Sequence, residues 1–136
     1  MKEVKIKNNQ LVSNIGLFYI CYELSKRRWN CLPTTRNAKG ADLIIYSQDG
    51  KKIYTIQVKA LTDKVAVPFG NKPNLSMADF VIITNNVFDN PEVFLLNPNT
   101  LKNKLVKNEK SGRISHWFSK KDYEPYKDNW GIIGNG

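Results

Sequence analysis

The chain has 136 residues, the size of one domain with one core, and its 41% hydrophobic content suits a globular fold. No apolar run is long enough to cross a membrane. The start, Met1-Lys2-Glu3-Val4-Lys5-Ile6-Lys7, lacks the apolar block of a signal peptide, so the expected location is the cytoplasm.

The net charge of +9 points to a polyanionic partner. Nucleic acid comes before an anionic membrane, because no basic helix with a clean apolar face is present. The plainer reading of the same charge is a lysine-rich, soluble surface. Cys21 and Cys31 share no metal-ligand spacing and are expected to be reduced, buried thiols.

In chain order, Ser13 is the expected cap of a helix running to about Arg28. Its interior, from Ile15 to Tyr22, is apolar nearly all round, which predicts deep burial. Lys26, Arg27 and Arg28 suit the negative end of the helix dipole. Residues 29 to 35 read as a strand interrupted by Pro33, and Asn37 to Gly40 as a turn.

A hairpin follows. Leu43-Ile44-Ile45-Tyr46 and Tyr54-Thr55-Ile56-Gln57-Val58-Lys59 flank Asp49-Gly50, a strong hairpin signal. A two-residue turn there pairs Gln48 with Lys51, and counting outward sets Asp42 opposite Gln57. Side chains repeat every second residue on a strand, so Asp42, Gln57 and Lys59 share one face. The opposed pair then stands roughly 5 Å apart at Cβ. An acid, an amide and a lysine so placed can hold a divalent cation against a phosphate. A three-residue turn would slip the register and move Asp42 to the other face.

Residues 61 to 77, with Pro68, Gly70 and Pro73, read as a long loop. Ala78 to Thr84 is a continuous apolar run, the mark of a strand covered on both faces. Glu92 to Leu96 is a further strand. Asn97-Pro98 opens a basic helix of about ten residues with Leu101, Leu105 and Val106 inward. The aromatic tail from Ile114 reads as a short strand and a short helix that close the core around Trp117, Phe118, Tyr123, Tyr126 and Trp130.

Gly40-Ala41-Asp42 and Gln57-Val58-Lys59, after a first helix that carries Glu23, resemble the PD-(D/E)XK nuclease superfamily. The Gln variant looks like the Mrr-type restriction endonucleases, and the small layout is similar to Holliday-junction resolvases. The resemblance covers the first helix and the strands to Lys59, and more loosely those to Leu96. It implies an α/β fold of restriction-endonuclease type: one domain over residues 1–136, with a mixed central β-sheet flanked by helices. It also implies a metal-dependent endonuclease that hydrolyses DNA phosphodiester bonds, in some relatives as a homodimer.

Carried over residue by residue, Asp42, Gln57 and the Val58 carbonyl are the implied ligands of Mg²⁺ or Mn²⁺. Lys59 is the implied water-orienting or charge-stabilising group, and Glu23 an additional acid. The departure is Gln57, where most members have Glu. A neutral amide still offers a carbonyl oxygen but removes one negative charge from the cage. Arg36, Asn37, Lys39 and Lys72 are candidate nucleic-acid contacts; the plainer reading is that Arg36 and Asn37 form the turn and that Lys72 belongs to a surface loop.

Plainer structural readings stand beside these. Asp42 can satisfy turn amides at a strand start. Gln57 and Lys59 can form the solvated face of a strand. Glu23 can pair with Lys26 and Arg27 at i+3 and i+4. His116 and the tail aromatics can be packing groups. The alternative to an enzyme is the same fold kept as a nucleic-acid-binding or protein-interaction module, a reading that Gln57 favours.

Overall fold

A computed structural model describes residues 8–35, 40–75 and 78–136. The elements are α1 (Asn9–Lys26), β1 (Asn30–Pro33), β2 (Leu43–Tyr46), β3 (Ile53–Ala60), β4 (Val67–Gly70), β5 (Phe80–Asn85), β6 (Glu92–Leu96), α2 (Pro98–Lys104), β7 (Val106–Lys110), β8 (Arg113–Phe118) and α3 (Lys120–Tyr123). Single 3₁₀ turns follow at Glu124–Tyr126 and Trp130–Ile132.

Five strands form the central sheet in the order β1-β2-β3-β5-β6. β3 and β5 run parallel and the other neighbours antiparallel, so the sheet is mixed. Helices flank it, and the α/β class expected from the sequence is the one observed.

β5 sits inside the sheet and is covered on both faces, as its unbroken apolar run requires. Alternation divides its side chains between two cores. Ile82 joins Ile20, Leu24, Leu43, Ile45 and Ile56 under α1. Val81 and Ile83 join Val67, Phe69, Phe94, Leu96, Phe118 and Tyr123 on the opposite face. Each aliphatic side chain so buried contributes about 1.5–3 kcal/mol.

α1 begins one turn earlier than expected. Asn8, not Ser13, caps it, with Oδ1 accepting the N–H groups of Gln10 at 3.0 Å and Leu11 at 3.3 Å. The earlier start brings Val12 into the buried stripe Val12, Gly16, Ile20 and Leu24. Only that stripe is buried; Phe18 and Tyr22 are exposed, so the helix lies on the sheet rather than inside the molecule. Gly16 permits the close approach. A Cβ there would collide with Ala60 and lie 3.1 Å from Thr84 Cγ2.

The second departure is a three-stranded sheet, β4-β8-β7, stacked over the face opposite α1. β4 lies within the segment expected to be a loop. Its alternating Val67 and Phe69 are buried while Pro68 and Gly70 are exposed, and Pro68 is tolerated because β4 is an edge strand.

α2 starts at the expected cap, Asn97, but has seven residues. Leu105 turns the chain extended, and Val106 is an exposed strand residue paired with Trp117. Trp117 is exposed rather than core, whereas Phe118 and Tyr123 are fully buried. Cys21 and Cys31 are free and half-buried rather than buried, with Cys31 Sγ 3.9 Å from the Cys21 carbonyl. No helix among the described residues is long and apolar enough to cross a membrane.

Candidate active site

The site is built at the open end of the β2–β3 ladder. Its register pairs Leu43 with Ile56, Ile44 with Thr55, Ile45 with Tyr54 and Tyr46 with Ile53. The turn is longer than two residues. Ser47 N–H donates to the Lys52 carbonyl at 2.9 Å, which leaves residues 48–51 as the loop. Asp49 Oδ1 accepts from Ser47 Oγ at 2.6 Å and from Lys51 N–H at 3.0 Å, and Gly50 takes the positive φ of 72°. The four-residue loop is still centred on Asp49-Gly50, so the register is the one expected and the faces do not invert.

One residue past the last ladder pair, Asp42 falls opposite Gln57. Its N–H donates to the Ile56 carbonyl at 2.8 Å, and its own carbonyl accepts the Thr34 N–H at 2.9 Å. Its carboxylate Oδ2 then accepts the Val58 N–H at 2.7 Å. That N–H would meet the Ala41 carbonyl if the ladder continued; the Ala41 carbonyl instead accepts the Thr34 hydroxyl at 2.6 Å. The strands therefore fork at Asp42, and the acid is fastened across the fork. Among the described residues its other oxygen, Oδ1, makes no hydrogen bond.

Gln57 and Lys59 pair with Val81 and Ile83 of β5, which places them on the face covered by the small sheet. Gln57 Oε1 is buried with no hydrogen-bond partner among the described residues. A buried carbonyl oxygen without a donor is costly; among the described residues Thr84 Oγ1 and Asn85 Oδ1 are in the same state.

Lys59 is half-buried, with Nζ 4.9 Å from the centre of the Phe69 ring, a cation–π contact. Burial pushes its pKa below the usual lysine range, and the nearby Asp42 charge offsets part of that shift. Phe69 was not singled out from the sequence, because Pro68 and Gly70 disguise β4. The alternation of Val67 and Phe69 was the available signal.

Glu23 does not join this cluster. It sits on α1, which covers the other face of the sheet. Gly16 marks where α1 crosses Ala60, and Glu23 lies about 10 Å farther along the axis. Its Oε2 is 2.9 Å from Arg27 Nη1 and 3.6 Å from Lys26 Nζ. Burial pushes its carboxyl up, but the Arg27 hydrogen bond and the Lys26 charge outweigh that and hold it below the usual range. Lys72 is exposed, two residues beyond β4. Arg36, Asn37 and Lys39 lie outside the described residues.

Oxygen donors from Asp42 and Gln57 are the groups here that could take a metal. No group of three or more His, Cys, Asp or Glu side chains suited to a metal ion exists among the described residues. The cluster thus offers one carboxylate, one neutral amide oxygen and one ammonium on one sheet face.

No family model and no curated protein matches the sequence. Among solved structures, a bacterial homing endonuclease, I-Ssp6803I, has the same fold. The TM-score is 0.64 at 16% identity, and the match covers 94% of this chain and 92% of that one. The fold described above is therefore nuclease-like.

Proposed function

We propose that this chain is a metal-dependent endonuclease of the PD-(D/E)XK type, hydrolysing phosphodiester bonds of DNA through Asp42, Gln57 and Lys59. The observation that carries the reading is the unpartnered Gln57 Oε1, buried on the same face as Asp42 and Lys59. The likeness to an endonuclease fold and the net charge of +9 support it.

The donor set fits a hard cation such as Mg²⁺ or Mn²⁺. Asp42 Oδ1 and Gln57 Oε1 would hold it, with the Val58 carbonyl as a third oxygen. Mg²⁺ is commonly held by one or two carboxylates completed by substrate phosphates, so a site with one carboxylate relies on the DNA to finish the cage. The bound cation supplies neutralisation of charge on the phosphate and a water of lowered pKa.

The protein's own groups do the rest. The Val58 N–H holds Asp42 in place before substrate arrives, so no rearrangement is needed during reaction. The Lys59 ammonium, presented from a half-buried position, orients the attacking water or stabilises charge developing on the phosphate oxygens. Lys72, exposed just beyond β4, supplies a contact to a flanking phosphate. Glu23 serves α1 through its ion pairs.

A second reading keeps the fold as a nucleic-acid-binding module with a weakened site. The single carboxylate at the cluster favours it. Incubation with supercoiled, single-stranded and branched DNA in Mg²⁺ or Mn²⁺ separates the two. Cleavage by wild type that disappears in Lys59→Ala supports the nuclease. Identical behaviour of the two proteins on every substrate removes hydrolysis and leaves the binding module.

A further inference from the structure

The β7–β8 hairpin has a construction that the central fold does not require. All five residues of β7 are exposed, on both faces of the strand. A strand with no buried side is not held by a core. Its pairing with β8 runs without a break from Val106–Trp117 to Lys110–Arg113, and the turn is the two residues Ser111 and Gly112, with φ of 54° and 75°. Two positive φ values in a two-residue turn match the twist of the strands and make a stiff ribbon.

Alternation defines its faces. Phe118 is buried against the central sheet, so His116 and Ile114 share the inner face with Lys107 and Glu109. The outer face presents Trp117, Ser115 and Arg113 beside Val106, Asn108 and Lys110.

Charge is concentrated here. Residues 102–121 hold seven of the chain's 21 basic residues and only one of its 12 acids, Glu109. Lys107, Lys110 and Arg113 form no ion pair with any described residue. Beneath the ribbon lies an open groove of about 520 Å³ lined by Asn99, Lys102, Lys107 and His116 among others. The ribbon also adjoins the candidate site. His116 Nδ1 is 3.0 Å from the carbonyl of Gly70, the residue after Phe69, whose ring lies under Lys59.

We infer that the β7–β8 hairpin is a DNA-reading ribbon that enters the major groove next to the scissile phosphate. This rests on the nuclease reading above. The major groove, about 12 Å wide, admits a two-stranded ribbon. Arms of five residues reach about 17 Å, which spans about five base pairs. Asn108 and Ser115, opposed at the middle of the outer face, are of the types that bond base edges. Lys110 and Arg113 flank the tip and neutralise phosphates, and Lys102 and Lys107 line the groove for the adjacent backbone.

The test uses the full chain with a randomised-sequence DNA duplex, read by fluorescence anisotropy over a salt series and by selection and sequencing of bound duplexes. Lys110→Ala/Arg113→Ala is expected to weaken binding about tenfold or more and to lower the salt slope by about two. Asn108→Ala/Ser115→Ala is expected to keep that slope and relax the sequence preference of the selected pool. All four positions lie outside the buried core, so both variants should fold; circular dichroism checks this. Wild type that binds duplex, with both variants matching it in affinity, slope and preference, overturns the ribbon and leaves the site reading intact. Wild type that binds no duplex also overturns the ribbon, while the nuclease reading then stands or falls on the cleavage assay with single-stranded and branched DNA.

Discussion

Asp42 accepts the backbone N–H of Val58 at 2.7 Å, so the acid is tied to the strand that carries Gln57 and Lys59. Two roles meet in one carboxylate and can be separated. Asp42→Asn keeps an acceptor for that N–H and removes the charge. It should lose cleavage and fold slightly less stably than wild type, because the half-buried Lys59 ammonium loses its nearby counter-charge. Asp42→Ala also orphans the N–H and should cost a further ~1–2 kcal/mol in urea unfolding. Equal cleavage by Asp42→Asn and wild type contradicts the assignment.

Lys59 should be a residue that function keeps at the expense of stability. Its pKa is lowered by burial, despite Asp42, from an ordinary value of 10.5. A lysine with a depressed folded pKa opposes folding while charged, and the penalty is relieved as pH rises toward the unfolded value. Lys59→Met should therefore be more stable than wild type at pH 7, by about 0.5–2 kcal/mol, and inactive. The stability gap should narrow at pH 10. Urea unfolding at both pH values checks this, and a less stable Lys59→Met contradicts it.

Gln57 carries the buried oxygen that lacks a donor. Gln57→Glu adds a second carboxylate beside Asp42. Without metal the two negative charges repel, which raises the pKa of the new group and lowers stability. With metal the cage is stronger. Mn²⁺ titration of the DNA-free protein should show clearly tighter binding than wild type. Unchanged affinity means that the Gln57 oxygen is not a ligand.

Glu23 gives the opposite prediction. Burial raises its pKa, but the Arg27 hydrogen bond and Lys26 outweigh it, so the folded value lies below the unfolded one. Its stabilisation is then present above the unfolded pKa, about 4.3, and is lost as pH falls through the folded value. Glu23→Gln should cost about 0.5–1 kcal/mol at pH 7, lose part of the acid sensitivity of folding, and leave cleavage unchanged. Loss of cleavage in a folded Glu23→Gln would return the acid to the active site.

The parts of this fold legible in the sequence were those with strong local signals. The apolar run of β5 announced a strand covered on both faces. Asp49-Gly50 announced the hairpin, and the register survived an error in turn length because the longer loop is centred on the same two residues. That shared centre sets Asp42 opposite Gln57. The small sheet was hidden, because β4 carries Pro68 and Gly70, residues that read as loop, and β7 is exposed on both faces and, apart from Val106, polar. Its strand state comes from pairing with β8, a contact that local composition does not encode. The buried face of α1 was overestimated for a related reason. Phe18 and Tyr22 are apolar in type but lie off the stripe that meets the sheet.

The most direct measurement is a Mn²⁺ titration of the protein with and without duplex DNA, followed by electron paramagnetic resonance, in wild type and Asp42→Asn. A cation shared between Asp42, Gln57 and a substrate phosphate predicts weak binding alone, much tighter binding with DNA, and loss of that gain in Asp42→Asn. Mn²⁺ affinity that DNA does not change, or that Asp42→Asn retains in full, would contradict a metal-dependent site at this fork.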